Sequence, residues 1–155
     1  MPKLDLSLTS DEVDAYLAVQ RTIRLATVSA DGSPHVVPLW FVWVDGVLFM
    51  NSTRGNLTVR NAKTKPTATG VVDDGEPYDQ LRGVIVRGRI EWGQDERQDV
   101  VNRTWSDKYL GGSPVPFERW KNRVWFRLIP EHISSWDFRK IPAARANARG
   151  SSQRA

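Results

Sequence analysis

Residues 34–44, PHVVPLWFVWV, are apolar in both registers of an extended chain: Val36, Pro38, Trp40, Val42 and Val44 at even positions, Val37, Leu39, Phe41 and Trp43 at odd ones. Alternate side chains of a β-strand point to opposite faces, so both faces of this segment ask for burial. Upstream, IRLATVS (23–29) is joined to it by the turn Ala30-Asp31-Gly32-Ser33. Downstream, Asp45-Gly46 turns the chain into VLFMNS (47–52). Three apolar runs joined by tight polar turns read as an antiparallel meander.

The rest of the chain continues the pattern. Thr9 and Glu12 have capping-box spacing ahead of Val13, Tyr16 and Leu17, which predicts a short amphipathic lid helix over about 10–20. LTVRNAKTK reads as a short helix stopped by Pro66, followed by a strand TATGVVD (67–73). GVIVRGRIEW (83–92) alternates Val84, Val86, Ile90 and Trp92 with Arg87, Arg89 and Glu91, the mark of a strand with one wet side. Val101, Trp105 and Tyr109, four apart, place a longer helix over 95–110. After the loop GGSPVP come RVWFRLI (123–129), a break at Pro130, and HISSWDF (132–138). Six or seven short antiparallel strands with two or three helices make a mainly β fold, a small barrel that removes sheet edges by closing. One face of 34–44 fills such a barrel. The other needs the lid helix, a bound aromatic ligand or a second copy of the chain, and a homodimer with a ligand at its seam meets the demand.

The chain has 155 residues, 40% hydrophobic, enough for one core. With no cysteine and two histidines it offers neither a disulfide framework nor a convincing metal site. The N-terminal stretch lacks the apolar core of a signal peptide, and no long uncharged apolar run occurs, so the expected compartment is the cytoplasm, with no membrane partner. The net charge of +4 is misleading. Arg139, Lys140, Arg145, Arg149 and Arg154 stand in a C-terminal stretch without acids, and removing those five leaves 17 cations against 18 acids, a net of −1. The body is therefore a poor nucleic-acid surface. Residues 1–141 are expected to form the domain and 142–155 a flexible basic tail.

Between Asp45 and Asp73 there is no acid, while Arg54, Arg60, Lys63 and Lys65 supply four charges. In NSTRGNLTVRN (51–61) a strand ends, passes Gly55 and enters a helix. First-turn amides, the hydroxyls of Ser52, Thr53 and Thr58 and an arginine fork are suited to a phosphate. P-loop spacing is missing. The alternative is a capped, solvent-facing basic helix. His35, at a strand start, is either a satisfied histidine or a ligand contact, and His132 is read as structural; Trp40 and Trp136, near strand ends, are the ring-stacking candidates. No nucleophilic triad assembles, so no catalytic side chain is named and any chemistry is assigned to a cofactor.

LATVSADGSPHVVPLWFVWVDG, STRGNLTVRNAKTKP, YDQLRGVIVRGRIEW and RVWFRLIPEHISSWDFRK, in that order, resemble the pyridoxamine 5'-phosphate oxidase-like split-barrel family over about residues 10–141. YDQLRG with SWDFRK is similar to its actinobacterial flavin and deazaflavin branch. The resemblance implies an FMN-binding type of split β-barrel that forms a homodimer with two cofactor sites at the seam, and an oxidoreductase using coenzyme F-420 or, alternatively, FMN on a small-molecule substrate. It implies a ring against Val37, Pro38, Leu39 and Trp40, and a phosphate held by Asn51, Ser52, Thr53, Arg54, Asn56, Thr58 and Arg60. Trp136, Arg139 and Lys140 would come from the partner subunit. Many relatives carry lysine where this chain has Thr58, in a K-x-x-N pattern whose Asn61 is retained, and the second strand lacks the arginine of true pyridoxamine-phosphate oxidases. Non-catalytic cofactor storage is a further alternative.

Overall fold

A computed structural model describes the chain over residues 4–152 and its side chains over 4–147. Helix α1 (Ser10–Val19) is followed by strands β1 (Thr22–Val28), β2 (Pro34–Trp40), β3 (Val42–Val44) and β4 (Val47–Thr53). Helix α2 (Leu57–Thr64), strands β5 (Thr67–Asp74) and β6 (Arg82–Trp92), helix α3 (Gln98–Tyr109) and strand β7 (Arg123–Asp137) complete the body, and helix α4 (Ile141–Ser152) follows. All pairings are antiparallel in one curled sheet, ordered β2-β1-β5-β6-β7-β4-β3. The curl brings β2 against β4, which makes a barrel split between its two edges.

Thr9 and Glu12 form the expected capping box: the Thr9 hydroxyl accepts from Glu12 N at 3.3 Å and Thr9 N donates to Glu12 Oε2 at 2.8 Å. The helix so oriented drops Val13, Tyr16 and Leu17 into the barrel interior beside Ile23, Leu25, Met50, Val84, Val86 and Phe126. Each large apolar side chain buried this way contributes about 1.5–3 kcal/mol, so the lid is held mainly by its apolar face. A second core lies on the opposite side of β3, β4 and β7, where α3 packs Val101 and Trp105 onto Val42, Val44, Val47, Phe49 and Trp125. The outer face of β2, β1, β5 and β6 is left exposed or half-buried by the described residues. Pro38, Arg24, Val71, Ile85 and Ser134 form one row across it, and Val36, Ala26, Thr69, Arg87 and His132 another.

Two expectations are corrected. Residues 34–44 are two strands, because one edge of the sheet ends at Trp40 and the other begins at Val42. The Phe41 N–H donates to the Tyr109 hydroxyl at 3.0 Å, and that hydroxyl lies 2.6 Å from the Phe41 carbonyl and 2.7 Å from the Arg21 carbonyl, pinning the bend. The segments 123–129 and 132–138 are one strand that passes Pro130, which a bulge opposite Arg87 and Gly88 accommodates. Within the stretch expected to be a flexible tail, residues 141–152 form α4, whose alanines and arginines are good helix formers; residues 153–155 lie outside the described part.

The bulge depends on Gly88, where a Cβ would overlap the carbonyl oxygen of Ile129. Gly88→Ala is expected to cost about 3 kcal/mol, a melting temperature lower by about 6–12 °C, while Gly55→Ala, with open space around it, stays within about 0.5 kcal/mol; thermal melts by circular dichroism check both. Two carboxylates give the acid limb. The guanidinium of Arg82 holds Asp74 below the usual carboxylate range, and that of Arg139 does the same for buried Asp137. Groups depressed in the folded state add stability that is fully present above the unfolded pKa of about 4 and is lost as pH falls through the folded values. Melts from pH 7 to pH 2 are therefore expected to drop below about pH 4, and Asp137→Asn to be less stable at pH 7 with a shallower acid limb.

Candidate functional site

The end of β4 and the start of α2 form a polar corner. Asn56 is the N-cap of α2, yet its side chain donates to Ser52 Oγ at 2.9 Å and makes no capping bond. The first turn holds no acid. A helix start with free amides and no carboxylate carries a positive end that favours an anion. Beneath it, buried Asn51 accepts from Arg123 Nη1 at 2.7 Å through Oδ1, while its Nδ2 is buried without a hydrogen-bond partner. An orphaned buried donor beside an arginine suits an acceptor-rich ligand.

Thr58 and Asn61 turn the other way. Both are buried: Thr58 Oγ1 lies 3.1 Å from His35 Nε2, and Asn61 Nδ2 donates to Thr27 Oγ1 at 3.2 Å. These side chains tie α2 to β1 and β2, so His35 is a satisfied histidine and the Thr58 hydroxyl is already engaged. The physical reason is periodicity: positions 58, 59, 61 and 62 share the inward face of a short helix, leaving Leu57 and Arg60 outside. Arg54 and Arg60 do not converge either. Arg54 lines a cleft of about 280 Å³ with Arg123, Trp120 and Phe117, and Arg60 lines another of about 400 Å³ with Leu57 and the β1–β2 turn.

The expected ring strand forms the opposite lip. Val37 and Leu39 are half-buried, whereas Pro38 and Trp40 face outward, and Trp40 lies flat on Tyr109 with ring centroids 4.4 Å apart and planes 8° from parallel. Because β2 meets both β4 and α2, residues separated by more than ten positions in sequence border one seam of the split barrel. Trp136, Arg139 and Lys140 are brought into a different group. Trp136 covers Gly83, Arg139 pairs with Asp137, and Lys140 donates to Glu12 Oε2 at 2.6 Å and to the Ser7 carbonyl at 2.8 Å. Arg123, Tyr109 and exposed Val36 are not among the site residues expected from the sequence; Arg123 reaches the site only because β7 pairs with β4 at Thr53. Among the described residues no cluster of three metal-ligating side chains occurs, and no helix is long and apolar enough to cross a membrane.

Known proteins give this arrangement a context. The conserved hypothetical protein Rv2991 of Mycobacterium tuberculosis is 25% identical, covers 92% of each chain and superposes with a TM-score of 0.80. A structure described as an F-420 reductase is 29% identical over 78% of this chain and 94% of its own, with a TM-score of 0.62. An FAD-binding protein of Mesorhizobium loti, 24% identical over 83% of this chain and 94% of its own, shares the fold with a TM-score of 0.63. No curated protein matches the chain. Residues 9–137, from the cap of α1 to the last residue of β7, match the pyridoxamine 5'-phosphate oxidase family, and the chain belongs to that family.

Proposed function

We propose that this chain is a homodimeric oxidoreductase that binds the deazaflavin coenzyme F-420 at its seam and reduces a small, electron-poor organic molecule. The observation that carries the reading is the uncapped, acid-free start of α2, flanked by Arg54 and Arg123 and packed against β2. Asn51, Ser52, Thr53, Arg54 and Asn56 would hold the phosphate, helped by the first-turn amides, with Arg60 as an outlying charge and Thr58 acting through His35. Val37, Pro38, Leu39 and Trp40 would support the ring and keep water from it. When bound, the reduced deazaflavin supplies the hydride. The side chains of the seam position and desolvate, consistent with the lack of a free acid–base pair there.

The dimer is part of the proposal. The outer rows on β2, β1, β5 and β6 are the surface for the second copy, whose Trp136, Arg139 and Lys140 would border the first copy's seam. The likeness to an F-420 reductase supports the deazaflavin, and FMN is the alternative that the shared family and fold allow.

Titration with F-420 and with FMN, followed by tryptophan fluorescence, is expected to show quenching and tighter binding of the deazaflavin; no response to either overturns the reading. Arg54→Ala should weaken binding by about 10–100-fold, the value of one charge-assisted hydrogen bond, and Trp40→Leu should remove much of the quenching. Sustained oxidation of the reduced coenzyme by quinones, nitro compounds or enones separates an enzyme from a storage protein. Sedimentation should give a dimer, and Ile85→Glu a monomer.

A further inference from the structure

On the far side of α3 from the second core, the end of α1, the following Arg21 and α3 border an open groove of about 540 Å³ lined by Ala18, Val19, Arg21, Thr104, Asp107 and Lys108. Lys108 Nζ lies 3.4 Å from the Leu17 carbonyl oxygen and 4.4 Å and 5.7 Å from the ring centroids of Phe41 and Tyr109. Lys121 and Lys140 are paired with carboxylates, and Lys65 donates to two carbonyls; no carboxylate among the described residues pairs with Lys108. Asp107 borders the same groove but is exposed and forms no ion pair with it. The other charged or titratable groups at hand are Arg21, whose Nη2 donates to the Lys108 carbonyl and whose guanidinium lies 5.5 Å from the Tyr109 ring, and Tyr109 itself. Helix α1 contributes only a carbonyl, and the β2–β3 bend only an aromatic ring. Burial first, and the Arg21 charge second, bring the Lys108 ammonium down to about 8, so roughly a tenth of it is free amine at pH 7.

We propose that Lys108 is a site of reversible carbamate formation with carbon dioxide, with Arg21 as counter-ion of the product. The lone pair of the free amine attacks the carbon of CO₂, one C=O π bond opens to a carboxylate oxygen, and an N–H proton leaves to water. Amine plus CO₂ gives carbamate plus a proton, and no oxidant or reductant is needed. The choice of CO₂ follows from Arg21. A neutral aldehyde would leave a neutral imine with nothing for the guanidinium to hold, whereas a carbamate carries a carboxylate, and Arg21 is the other cation lining the groove. The reaction turns a buried cation into an anion one residue from Tyr109, on which Trp40 of the seam is stacked. The groove and its chemistry do not depend on which cofactor the seam takes.

The experiment uses the full-length protein equilibrated with ¹³C-labelled bicarbonate and CO₂ between pH 6.5 and 8.5. Carbamates are then trapped by ethylation with a trialkyloxonium salt and mapped by peptide mass spectrometry. Occupancy at Lys108 should exceed that at the exposed, ion-paired Lys121 in the same molecule at least tenfold at pH 7.5, and Arg21→Gln should lower it severalfold. Equal labelling of the two lysines, or no trapped adduct at Lys108, overturns the proposal. The comparison is internal to the wild-type chain, so it stands even if a variant fails to fold.

Discussion

A sheet whose two edge strands are consecutive in sequence has to turn the chain out of one edge and into the other within a residue or two. Here that residue is Phe41, and its backbone N–H and carbonyl are both met by one hydroxyl, that of Tyr109. Burial pushes the Tyr109 phenol up to about 12, so the group stays a neutral donor and acceptor across the physiological range. The same ring is the bed for Trp40 and has the Lys108 ammonium 5.7 Å from its centroid. Bend, aromatic lip and buried amine therefore share a single support, and α3 matters to the seam although it contributes no residue to the polar corner of β4 and α2.

Much of this was readable in the sequence because local chemistry and tertiary structure agree. Thr9 and Glu12 specify the helix start that forms, and the period-two alternation of 83–92 survives as the buried and exposed sides of β6. The double apolarity of 34–44 also proved meaningful. Its cause is that the segment serves two strands and two cores, with Leu39 beside the first core and Val42 and Val44 in the second. What stayed hidden depends on register. Pro130 looks like a strand end until it is seen opposite Gly88, where a bulge removes the need for its missing N–H.

The polar corner between β4 and α2 shows the same limit more sharply. Composition marks residues 46–72 as acid-free, and the start of α2 is the positive end that this implies. Composition does not say which way each side chain turns. Thr58, beside Arg60 in function on paper, is buried against His35 because the helix needs an inward face, and the two arginines part into separate clefts. Arg123, from the far end of the chain, lines the cleft with Arg54 and donates to Asn51. A lysine at position 58 would have to leave this inward face or displace the His35 contact.

The position of β7 within the sheet has a consequence for how the protein is made. β7 alone joins the four strands β2-β1-β5-β6 to the pair β4-β3, and it is the last of them to leave the ribosome. Until residue 137 has emerged, the inner edges of β6 and β4 stand unpaired with their apolar sides exposed, and α1 can close only part of the interior. Non-local pairing of this kind is slow and leaves sticky edges in the meantime. Closure of the sheet is thus a zipping step in which fifteen residues complete both cores at once, and a nascent chain stalled before that point is a ready substrate for chaperones.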